Sequence, residues 1–393
     1  MRLGYLVPEF PGQTHAFFWR EVQALRGAGV EVHLLSTRRP EPGACAHAFA
    51  EAARAETTYL FPPAPERWPA SALARVFSPG VRSYFAELPE RGPASLARQT
   101  GILASALELR AQAQRLGLQH VHVHSAANAA HVASLAHLLG GPTYSLTLHG
   151  DLDVYGTGHA RKFRTAKFVS VVTRALAEAV GEQLSLPAAF LPVIRMGVDV
   201  GSFKPLPRGD SPDFRLTTVA RLNHTKGHVY ALEAIARLRA EGFELRYRIA
   251  GTGPEEAALR AHVARLELGD VVSLLGSLAE HEVRELLLDS DVFLLTSFGL
   301  GEAAPVSVME AMASGCSVVC SRIGGTAEII ANGEDGLLVP QQDVGAIAEA
   351  VRSLITSKDL RNRIGSAARR RALADFDAGT NAQRLLACIE GKA

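Results

Sequence analysis

The chain has 393 residues, which is too long for one ordinary hydrophobic core and about right for two domains. Its 47% hydrophobic and 21% charged residues are typical of a globular protein, and a formal net charge of +1 gives no indication of a nucleic-acid-binding protein. The four cysteines show no pairing pattern, and no apolar stretch suits a signal sequence or a membrane span, so we expect a cytoplasmic protein with free thiols.

Strand-like and helix-like segments alternate through the first half of the chain. This alternation predicts an α/β fold, with a doubly wound parallel sheet that has helices on both faces. A helix is expected at Thr14–Arg26, with Thr14 as its N-cap. Strands are predicted at Leu3–Val7, Val30–Ser36, Gln119–His124, Thr143–Leu148 and Phe168–Val172.

Two loops of this half are candidates for ligand binding. The loop after the first strand contains Gly12, which would let the backbone approach a ligand before the helix begins. The strand Thr143–Leu148 ends at His149, and ligands of doubly wound sheets bind beyond the carboxyl ends of the strands. We therefore expect His149 to lie in a binding cleft.

Polar side chains near the same edge leave alternatives open. His120, His122 and His124 alternate along one strand, so they could bind zinc; alternatively, the first two are packed or exposed and His124 borders the cleft. Asp151 and Asp153 could bind a metal as an Asp-x-Asp pair or contact substrate hydroxyls. We expect no metal site, and we place His124, Asp151 and Asp153 on the acceptor side.

A segment between Ala70 and Arg115 mixes arginines with apolar residues. An amphipathic basic helix of this kind can rest on anionic lipid, which would give peripheral contact with the inner face of the membrane. Alternatively, the arginines form a solvated face over a stripe of core residues. The segment contains Arg75, Arg82, Arg91, Arg98, Arg110 and Arg115 among Leu73, Val76, Phe77, Tyr84, Phe85 and Leu103.

The alternation pauses in a segment rich in Gly and Pro and then restarts. We predict an N-terminal domain at 1–199, a linker at 200–213, a second domain at 214–375 and a C-terminal helix at 376–393 that returns to the first domain. Two doubly wound halves would then face each other across a ligand cleft. Strands of the second half are predicted at Phe214–Ala220, Glu244–Ala250, Val271–Leu275, Asp291–Leu295 and Ser317–Cys320.

Two cations follow the first strand of the second half. Arg221 and Lys226 lie beside a helix that is expected to begin near Lys226, where a guanidinium fork and a point charge suit a pyrophosphate. The alternative is a solvated strand end. After the next strand, Gly251-Thr-Gly-Pro-Glu resembles the start of a dinucleotide fingerprint, but Glu256 occupies the position of the third glycine. We therefore predict a tight strand-to-helix turn there and no NAD site.

Glu302 and Glu310 form the most informative pair in the chain. They follow an apolar strand-like run, and Pro305 between them suits the first turn of a helix. Glu302 then lies in the loop before the helix and Glu310 on its second turn, with free backbone N–H groups and the positive end of the helix dipole between them. Two carboxylates beside a phosphate cradle fit a nucleotide sugar; alternatively, they are ordinary glutamates of a surface helix.

In combination, these segments resemble the large family of retaining glycosyltransferases known as family 4, whose GT-B fold has two facing Rossmann-like domains. The stretch Phe17-Phe-Trp-Arg-Glu21 looks most like bacterial members that build exopolysaccharide or cell-surface glycans. The matching segments occur in order over nearly the whole chain: the loop with Gly12, His149-Gly150, Met196-Gly-Val-Asp199, Val219-Ala-Arg221-Leu222, Lys226-Gly227, Gly251-Thr-Gly-Pro-Glu255, Glu302-x7-Glu310 with Glu310-Ala-Met-Ala-Ser-Gly315, and Gly324-Gly-Thr-Ala-Glu328.

The resemblance implies a role for each matching position. Arg221 and Lys226 would hold the donor diphosphate and stabilise the leaving nucleoside diphosphate. Glu310 would accept hydrogen bonds from the ribose hydroxyls, while Glu302 and His149 would contact the donor sugar. The implied catalytic residues are His149, Arg221, Lys226 and Glu302, and the implied donor-binding residues are Gly12, Arg221, Lys226, Gly251, Ala304, Pro305, Val306, Ser307 and Glu310.

The chain departs from the family pattern at Ala303, because the family usually has glycine directly after the first glutamate. This change could narrow the backbone angles of the loop or alter its fit to the sugar. The insertion Gly299-Leu-Gly301 before Glu302 could absorb the difference.

The resemblance implies transfer of a sugar from a nucleoside diphosphate donor, most commonly a UDP-sugar, to an acceptor hydroxyl with retention of the anomeric configuration. The acceptor would be a glycan, a lipid-linked molecule or a small molecule. No cofactor or metal would be required, because Arg221 and Lys226 can neutralise the diphosphate. Two alternatives remain: a sugar-phosphate enzyme such as a phosphorylase or epimerase, and a nucleotide-sugar-binding subunit without activity.

Overall fold

The computed structural model describes residues 1–87, 93–205, 213–299 and 302–392, which form two compact units. Unit 1 contains Met1–Cys45, Phe49–Arg195 and the C-terminal segment from Asn381. Unit 2 contains Ala46–Ala48 and Met196–Thr380. The centre of the predicted linker, Arg91 of the basic segment, and positions 300–301 of the insertion before Glu302 lie outside the described residues.

Unit 1 is built around one parallel sheet. Its described strands are β1 (Arg2–Glu9), β2 (Glu31–Arg38), β3 (Thr58–Tyr59), β4 (His120–Val123), β5 (Thr143–Leu148) and β6 (Val169–Val171). They are ordered β3-β2-β1-β4-β5-β6, with every pair parallel. This is the strand order of a Rossmann fold, and its direction reverses between β1 and β4, which is the switch point where such sheets bind ligands.

Helices cover both faces of this sheet, so its central strands are buried; all residues of β4 are buried. Leu385 and Ile389 of the last helix join Phe18, Val22 and Leu25 in one core cluster. The helices of unit 1 are α1 (Ala16–Gly27), α2 (Ala50–Glu56), α3 (Ala70–Arg75), α4 (Pro79–Ala86), α5 (Pro93–Leu116), α6 (Asn128–Leu138), α7 (His159–Phe163) and α8 (Arg174–Leu184). The last helix, α16, spans Ala378–Glu390.

The start of α1 differs from the prediction. The N-cap position is occupied by His15, not Thr14, and no side chain caps the helix. The His15 N–H donates to the Gly12 carbonyl over 3.0 Å. This bond closes a turn that carries the chain past Thr14, so the expected Thr14 cap is wrong.

Unit 2 repeats the strand order of unit 1. Its described strands are β7 (Phe214–Val219), β8 (Leu245–Ala250), β9 (Val272–Gly276), β10 (Val292–Leu295), β11 (Ser317–Ser321) and β12 (Leu337–Val339). They are parallel and ordered β12-β11-β10-β7-β8-β9, so the switch point lies between β10 and β7. The helices of unit 2 are α9 (His228–Ala240), α10 (Glu256–Arg265), α11 (Glu280–Leu288), α12 (Val306–Ala313), α13 (Thr326–Ile329), α14 (Val344–Thr356) and α15 (Lys358–Asp375).

These two sheets confirm the predicted α/β class with two doubly wound parallel units. All predicted strands form, with ends that differ from the prediction by at most two residues, and β3 and β12 are additions. Cys316 directly precedes β11 and Cys320 lies on it, and both thiols are buried. Within the described ranges, no helix combines the length and apolar character needed to cross a bilayer.

The predicted basic segment forms α3, α4 and α5. Part of it packs in the core of unit 1, since Ala72 and Tyr84 are buried. Three of its apolar side chains point into solvent: Leu73 is 43%, Phe77 80% and Leu96 70% exposed. The segment therefore combines a core-facing side with exposed apolar residues.

Candidate functional site

The loops after β7 and β10 meet at the switch point of unit 2. These neighbouring strands are parallel, so their carboxyl ends lie at one edge of the sheet. The Phe298 N–H donates to the Thr225 carbonyl over 2.8 Å, and the Thr296 hydroxyl donates to the Gly227 carbonyl over 2.9 Å. These bonds tie together two loops that the sequence predicts to carry donor-binding residues.

Lys226 and Glu302 form an ion pair between these loops. Lys226 Nζ contacts Glu302 Oε2, and the same oxygen accepts the Ser297 hydroxyl over 2.8 Å. The two charged side chains are only 17% and 10% exposed. A charge removed from water needs a compensating partner, so each group stabilises the other in this position. The structure thus brings together two predicted site residues and adds Ser297, which the sequence did not single out.

Arg221 occupies the start of the loop after β7. Its carbonyl oxygen lies 3.0 Å from His228 Nε2, which fixes the backbone, while its side chain is exposed. Among the described residues, its guanidinium has no polar partner. The helix predicted to begin near Lys226 is a 3-10 turn at His224–Lys226, and α9 begins only at His228.

The N-terminus of α12 follows Glu302 directly. Pro305 occupies the N-cap, one position before the predicted first turn, with extended backbone angles φ −70° and ψ 112°. Its carbonyl accepts the Val308 N–H over 3.1 Å, whereas the N–H groups of Val306 and Ser307 have no acceptor within the described residues. Ala304 is buried beside them. This end of the helix therefore presents backbone donors, as expected for an anion site.

Glu310 lies on the second turn of α12, as predicted. It is 8% exposed, and its carbonyl oxygen accepts the Ser314 N–H over 2.9 Å within the helix. A carboxylate at this depth is unusual unless it has polar contacts. Glu310 is therefore not an ordinary exposed glutamate of a surface helix, and its role in ligand binding stays a prediction.

The turn after β11 supports Glu302 through the backbone. The Gly325 N–H donates to the Ala303 carbonyl over 2.9 Å. At Gly324, φ is +50° and a Cβ atom would lie 2.0 Å from the Glu302 carbonyl oxygen, so only glycine fits. Burial raises the pKa of the nearby Cys320 thiol, and the Glu302 charge adds to this effect. Gly324 is thus a supporting residue of the site, which the sequence noted only through the family resemblance.

Gly251 is required by the protein's own backbone. Its φ is +145°, and a Cβ atom would lie 1.9 Å from the Ala220 carbonyl oxygen. Its N–H donates to the Gly276 carbonyl over 2.7 Å. This geometry is the tight strand-to-helix turn that the sequence predicts, next to the loop of Arg221.

Unit 1 carries a second group of predicted residues, centred on His149 after β5. The ring lies 5.3 Å from Phe17 and 5.5 Å from Phe18, measured between ring centroids. Its backbone N–H donates to the Tyr155 hydroxyl over 3.0 Å, and its Nε2 lies 3.2 Å from His124 Nδ1. Burial lowers the pKa of both histidines to about 3, so both rings are neutral at pH 7.

The three alternating histidines are packed in the core, and His124 does not border solvent. His122 lies 2.7 Å from Ser145 Oγ and 2.8 Å from Thr147 Oγ1, while His120 contacts the same serine. The His124 side chain is 1% exposed, behind His149. The expectation that His124 borders the cleft is therefore corrected. Across the described ranges, no group of three or more His, Cys, Asp or Glu side chains could hold a metal ion.

The remaining candidates of unit 1 lie in loops. Asp151 and Asp153 are exposed at a 3-10 turn, Leu152–Tyr155, directly after His149. Gly12 is half-buried, and a Cβ atom there would lie 2.7 Å from His15 Nδ1. A side chain at this position would therefore require the His15 ring to shift. That the reaction needs no metal stays a prediction.

The second half of the chain is similar in sequence to glycosyltransferases. Residues 207–371 match the family model described as Glycosyl transferases group 1. A protein of Escherichia coli named as the colanic acid biosynthesis glycosyltransferase WcaL is 39% identical over 173 residues, which are 43% of this chain and 43% of that protein. The amylovoran biosynthesis glycosyltransferase AmsK of Erwinia amylovora is 37% identical over 171 residues, 42% of each chain. The aligned part is thus less than half of either relative.

Comparison of structures covers the whole chain. HepE of Anabaena, solved in complex with UDP-glucose, superposes with a TM-score of 0.74 and 18% identity over 100% of both chains. At this identity the likeness concerns the fold. The GT-B type of fold predicted from the sequence is therefore confirmed.

Proposed function

We propose that this protein is a glycosyltransferase that moves a sugar from a nucleoside diphosphate sugar to an acceptor hydroxyl, with retention of the anomeric configuration. The observation that carries the proposal is the Lys226–Glu302–Ser297 cluster at the switch point of unit 2, beside the N-terminus of α12. The group 1 match of residues 207–371 and the glycosyltransferase fold support it.

The donor would bind along the loops of unit 2. The Lys226 ammonium and the exposed Arg221 guanidinium supply positive charge, and the first N–H groups of α12 supply hydrogen-bond donors for the diphosphate. Glu310, on the second turn of the helix, would accept hydrogen bonds from the ribose hydroxyls. Glu302 would accept hydrogen bonds from sugar hydroxyls through the part of its carboxylate that Lys226 and Ser297 do not contact.

In the transfer step, the bond between the anomeric carbon and the diphosphate oxygen breaks as a bond forms to the acceptor oxygen. The acceptor proton passes to the departing diphosphate, so the products are a glycoside and a nucleoside diphosphate. Acceptor attack and diphosphate departure on the same face would retain the configuration. The protein would contribute positioning and stabilisation of negative charge on the leaving group.

UDP-sugars are the donors that we favour, because HepE, which shares the fold, was solved with UDP-glucose. Exopolysaccharide synthesis is the favoured context, because WcaL and AmsK are named for colanic acid and amylovoran. His149 would contact the donor sugar, and the exposed carboxylates of Asp151 and Asp153 suit hydroxyls of a glycan, lipid-linked or small-molecule acceptor.

The proposal is tested with purified protein and a panel of UDP-, GDP- and ADP-sugars. One donor should raise the melting temperature by mass action and should be consumed with release of its nucleoside diphosphate, including slow hydrolysis without acceptor. Release of sugar 1-phosphate with inorganic phosphate, or interconversion of the donor sugar, would instead indicate the phosphorylase or epimerase alternative. Donor binding without turnover under any acceptor condition would indicate a binding subunit.

We also propose peripheral contact with an anionic membrane through α3, α4 and the start of α5. The exposed side chains of Phe77 and Leu96 would enter the interfacial layer, and neighbouring arginines would contact lipid phosphates. Such contact would bring a lipid-linked acceptor to the protein.

A further inference from the structure

One buried imidazole joins the two ends of the loop that carries Arg221 and Lys226. His228 is the first residue of α9 and is 3% exposed. Its Nε2 lies 3.0 Å from the carbonyl oxygen of Arg221, at a separation of 7 positions in the chain. The Asn223 N–H donates to the same carbonyl over 3.0 Å. The ring therefore connects the start of this loop to the start of the helix that follows it.

The contact with a carbonyl determines which ring nitrogen of His228 carries the proton. A backbone carbonyl oxygen only accepts hydrogen bonds, so Nε2 must be the donor. The other nitrogen, Nδ1, is buried and has no hydrogen-bond partner within the described residues. A proton on Nδ1 would be an unsatisfied buried donor, so the neutral Nε2–H tautomer fits this environment. Burial lowers the pKa of His228 from its usual value of 6.5, so the neutral ring predominates at pH 7.5.

The peptide unit between Arg221 and Leu222 is held at both of its polar atoms. His228 donates to the carbonyl oxygen, and the Leu222 N–H donates to the Thr252 carbonyl over 2.9 Å. A planar peptide that is bonded at both atoms has little freedom to rotate. The direction in which the Arg221 side chain leaves the backbone is therefore fixed as well.

Arg221 depends on this peptide more than Lys226 does. The Lys226 ammonium is held by its ion pair with Glu302, on the loop after β10. The Arg221 side chain is exposed, and in the part of the chain that the structure describes its guanidinium contacts no polar group. Its direction before a ligand binds is therefore set by the backbone that carries it.

We propose that His228 is a positioning residue that, through the Arg221 peptide, directs the Arg221 guanidinium toward the diphosphate of the donor. The proposal rests on the proposed function for the identity of this ligand. A guanidinium that already points toward its ligand loses less conformational freedom on binding. His228 therefore strengthens diphosphate binding without contacting the ligand.

UDP is the probe for this role, with GDP and ADP in parallel, and affinity is measured by calorimetry at pH 7.5. We expect His228→Leu to weaken UDP binding about tenfold, the size of one lost hydrogen bond. His228→Gln keeps an amide N–H near the position of Nε2 and should recover most of the affinity. His262→Leu is the control, because His262 lies on α10 of the same unit, where its ring contacts Arg265. This variant should bind UDP as the wild-type protein does.

A double-mutant cycle separates positioning of Arg221 from a general structural role. If His228 acts through Arg221, His228→Leu should cause no further loss when Arg221 is already replaced by alanine. The double variant should then bind UDP as weakly as Arg221→Ala alone. A further tenfold loss in the Arg221→Ala background would overturn the proposal, as would wild-type affinity in folded His228→Leu. If His228→Leu does not fold, His228→Asn takes its place, because the shorter amide does not reach the carbonyl.

The hydrogen bond itself is measured without a ligand, by long-range ¹H–¹⁵N NMR of protein labelled at histidine nitrogen. The His228 signals are identified by their loss in His228→Gln, and we expect a protonated Nε2 and an unprotonated Nδ1. An Nδ1–H tautomer would overturn the proposal and leave the proposed function in place. Absence of binding of all three nucleotides to the wild-type protein would contradict the proposed function, and with it the role of His228 toward a diphosphate.

Discussion

Lys226 and Glu302 are 76 positions apart in the chain and share one largely buried ion pair. Ser297 completes the cluster by donating to the same carboxylate oxygen. The pair joins the loops of two adjacent strands, so a change at either residue affects both the charge at the site and the loop that carries its partner.

The first prediction concerns the stability of unit 2. Glu302→Gln leaves the Lys226 ammonium without its counter-charge in a site of low exposure. We expect a loss of about 1–3 kcal/mol in the free energy of unfolding, measured by urea titration. Glu349→Gln is the control, because Glu349 is 70% exposed in its pair with Arg352 and should change stability little. Equal losses in the two variants would contradict a structural role for the Lys226 pair.

The second prediction concerns turnover. Lys226→Ala removes the positive charge that we assign to the leaving diphosphate, so kcat at saturating donor should fall on the order of 10²–10³. Arg260→Ala removes a cation from α10, where it pairs with Glu256, and should leave kcat unchanged. Full activity of Lys226→Ala at saturating donor would refute this account of the leaving group.

The third prediction separates a steric clash from backbone strain. Gly324→Ala places a Cβ against the Glu302 carbonyl oxygen, whereas a Cβ at Gly333, which also has positive φ, meets nothing within 4 Å. We expect Gly333→Ala to lose about 1 kcal/mol of stability with normal donor affinity. Gly324→Ala should lose more stability and should also weaken donor binding, measured by calorimetry. Normal donor affinity in folded Gly324→Ala would show that the loop of Glu302 tolerates displacement.

The fourth prediction concerns pH. Burial lowers the pKa of His120, His124 and His149 to about 3, below the usual value of 6.5. Between pH 6.5 and about 3 the unfolded chain therefore binds more protons than the native protein, so stability falls as the pH is lowered. Urea titrations at pH 7.5, 6.5 and 5.5 should show this decrease. The change in the free energy of unfolding per pH unit should be smaller in His120→Gln. The glutamine keeps polar contacts to Thr143 and Ser145 but does not titrate. If the free energy of unfolding does not change over this pH range, these rings also bind protons in the native state.

The fifth prediction concerns membranes. Phe77→Ser combined with Leu96→Ser should reduce co-sedimentation with vesicles containing anionic lipid, because both side chains are exposed in the basic segment. Leu373→Ser is the control, since Leu373 is a 49% exposed apolar residue on α15 of unit 2. Equal binding by the wild-type protein and the double variant would show that Phe77 and Leu96 do not form the membrane-contact surface.

The sequence predicts the fold well because long apolar strands in alternation with helices admit few topologies. The sequence does not predict β3 or β12, because strands of two and three residues are too short to show an alternation of apolar and polar residues. Thr14 is misjudged as a cap because the hydrogen bond from His15 to Gly12 cannot be read from residue types. Local preference selects an N-cap residue, and here the geometry of the preceding turn overrides it.

The site is predicted in part. The meeting of Lys226 and Glu302 follows from their positions after two strands that flank the switch point. Ser297 gives no comparable signal, because a lone serine after a strand is common. Its significance depends on the direction of its side chain, which the chain acquires only on folding.

The identical winding of the two sheets has a consequence for their loops. Because the strands of both units follow the same winding order, the loops at their carboxyl ends can differ between the units while the order of the strands stays the same. A change in the loops of one unit therefore leaves the strand order of the other unit as it is.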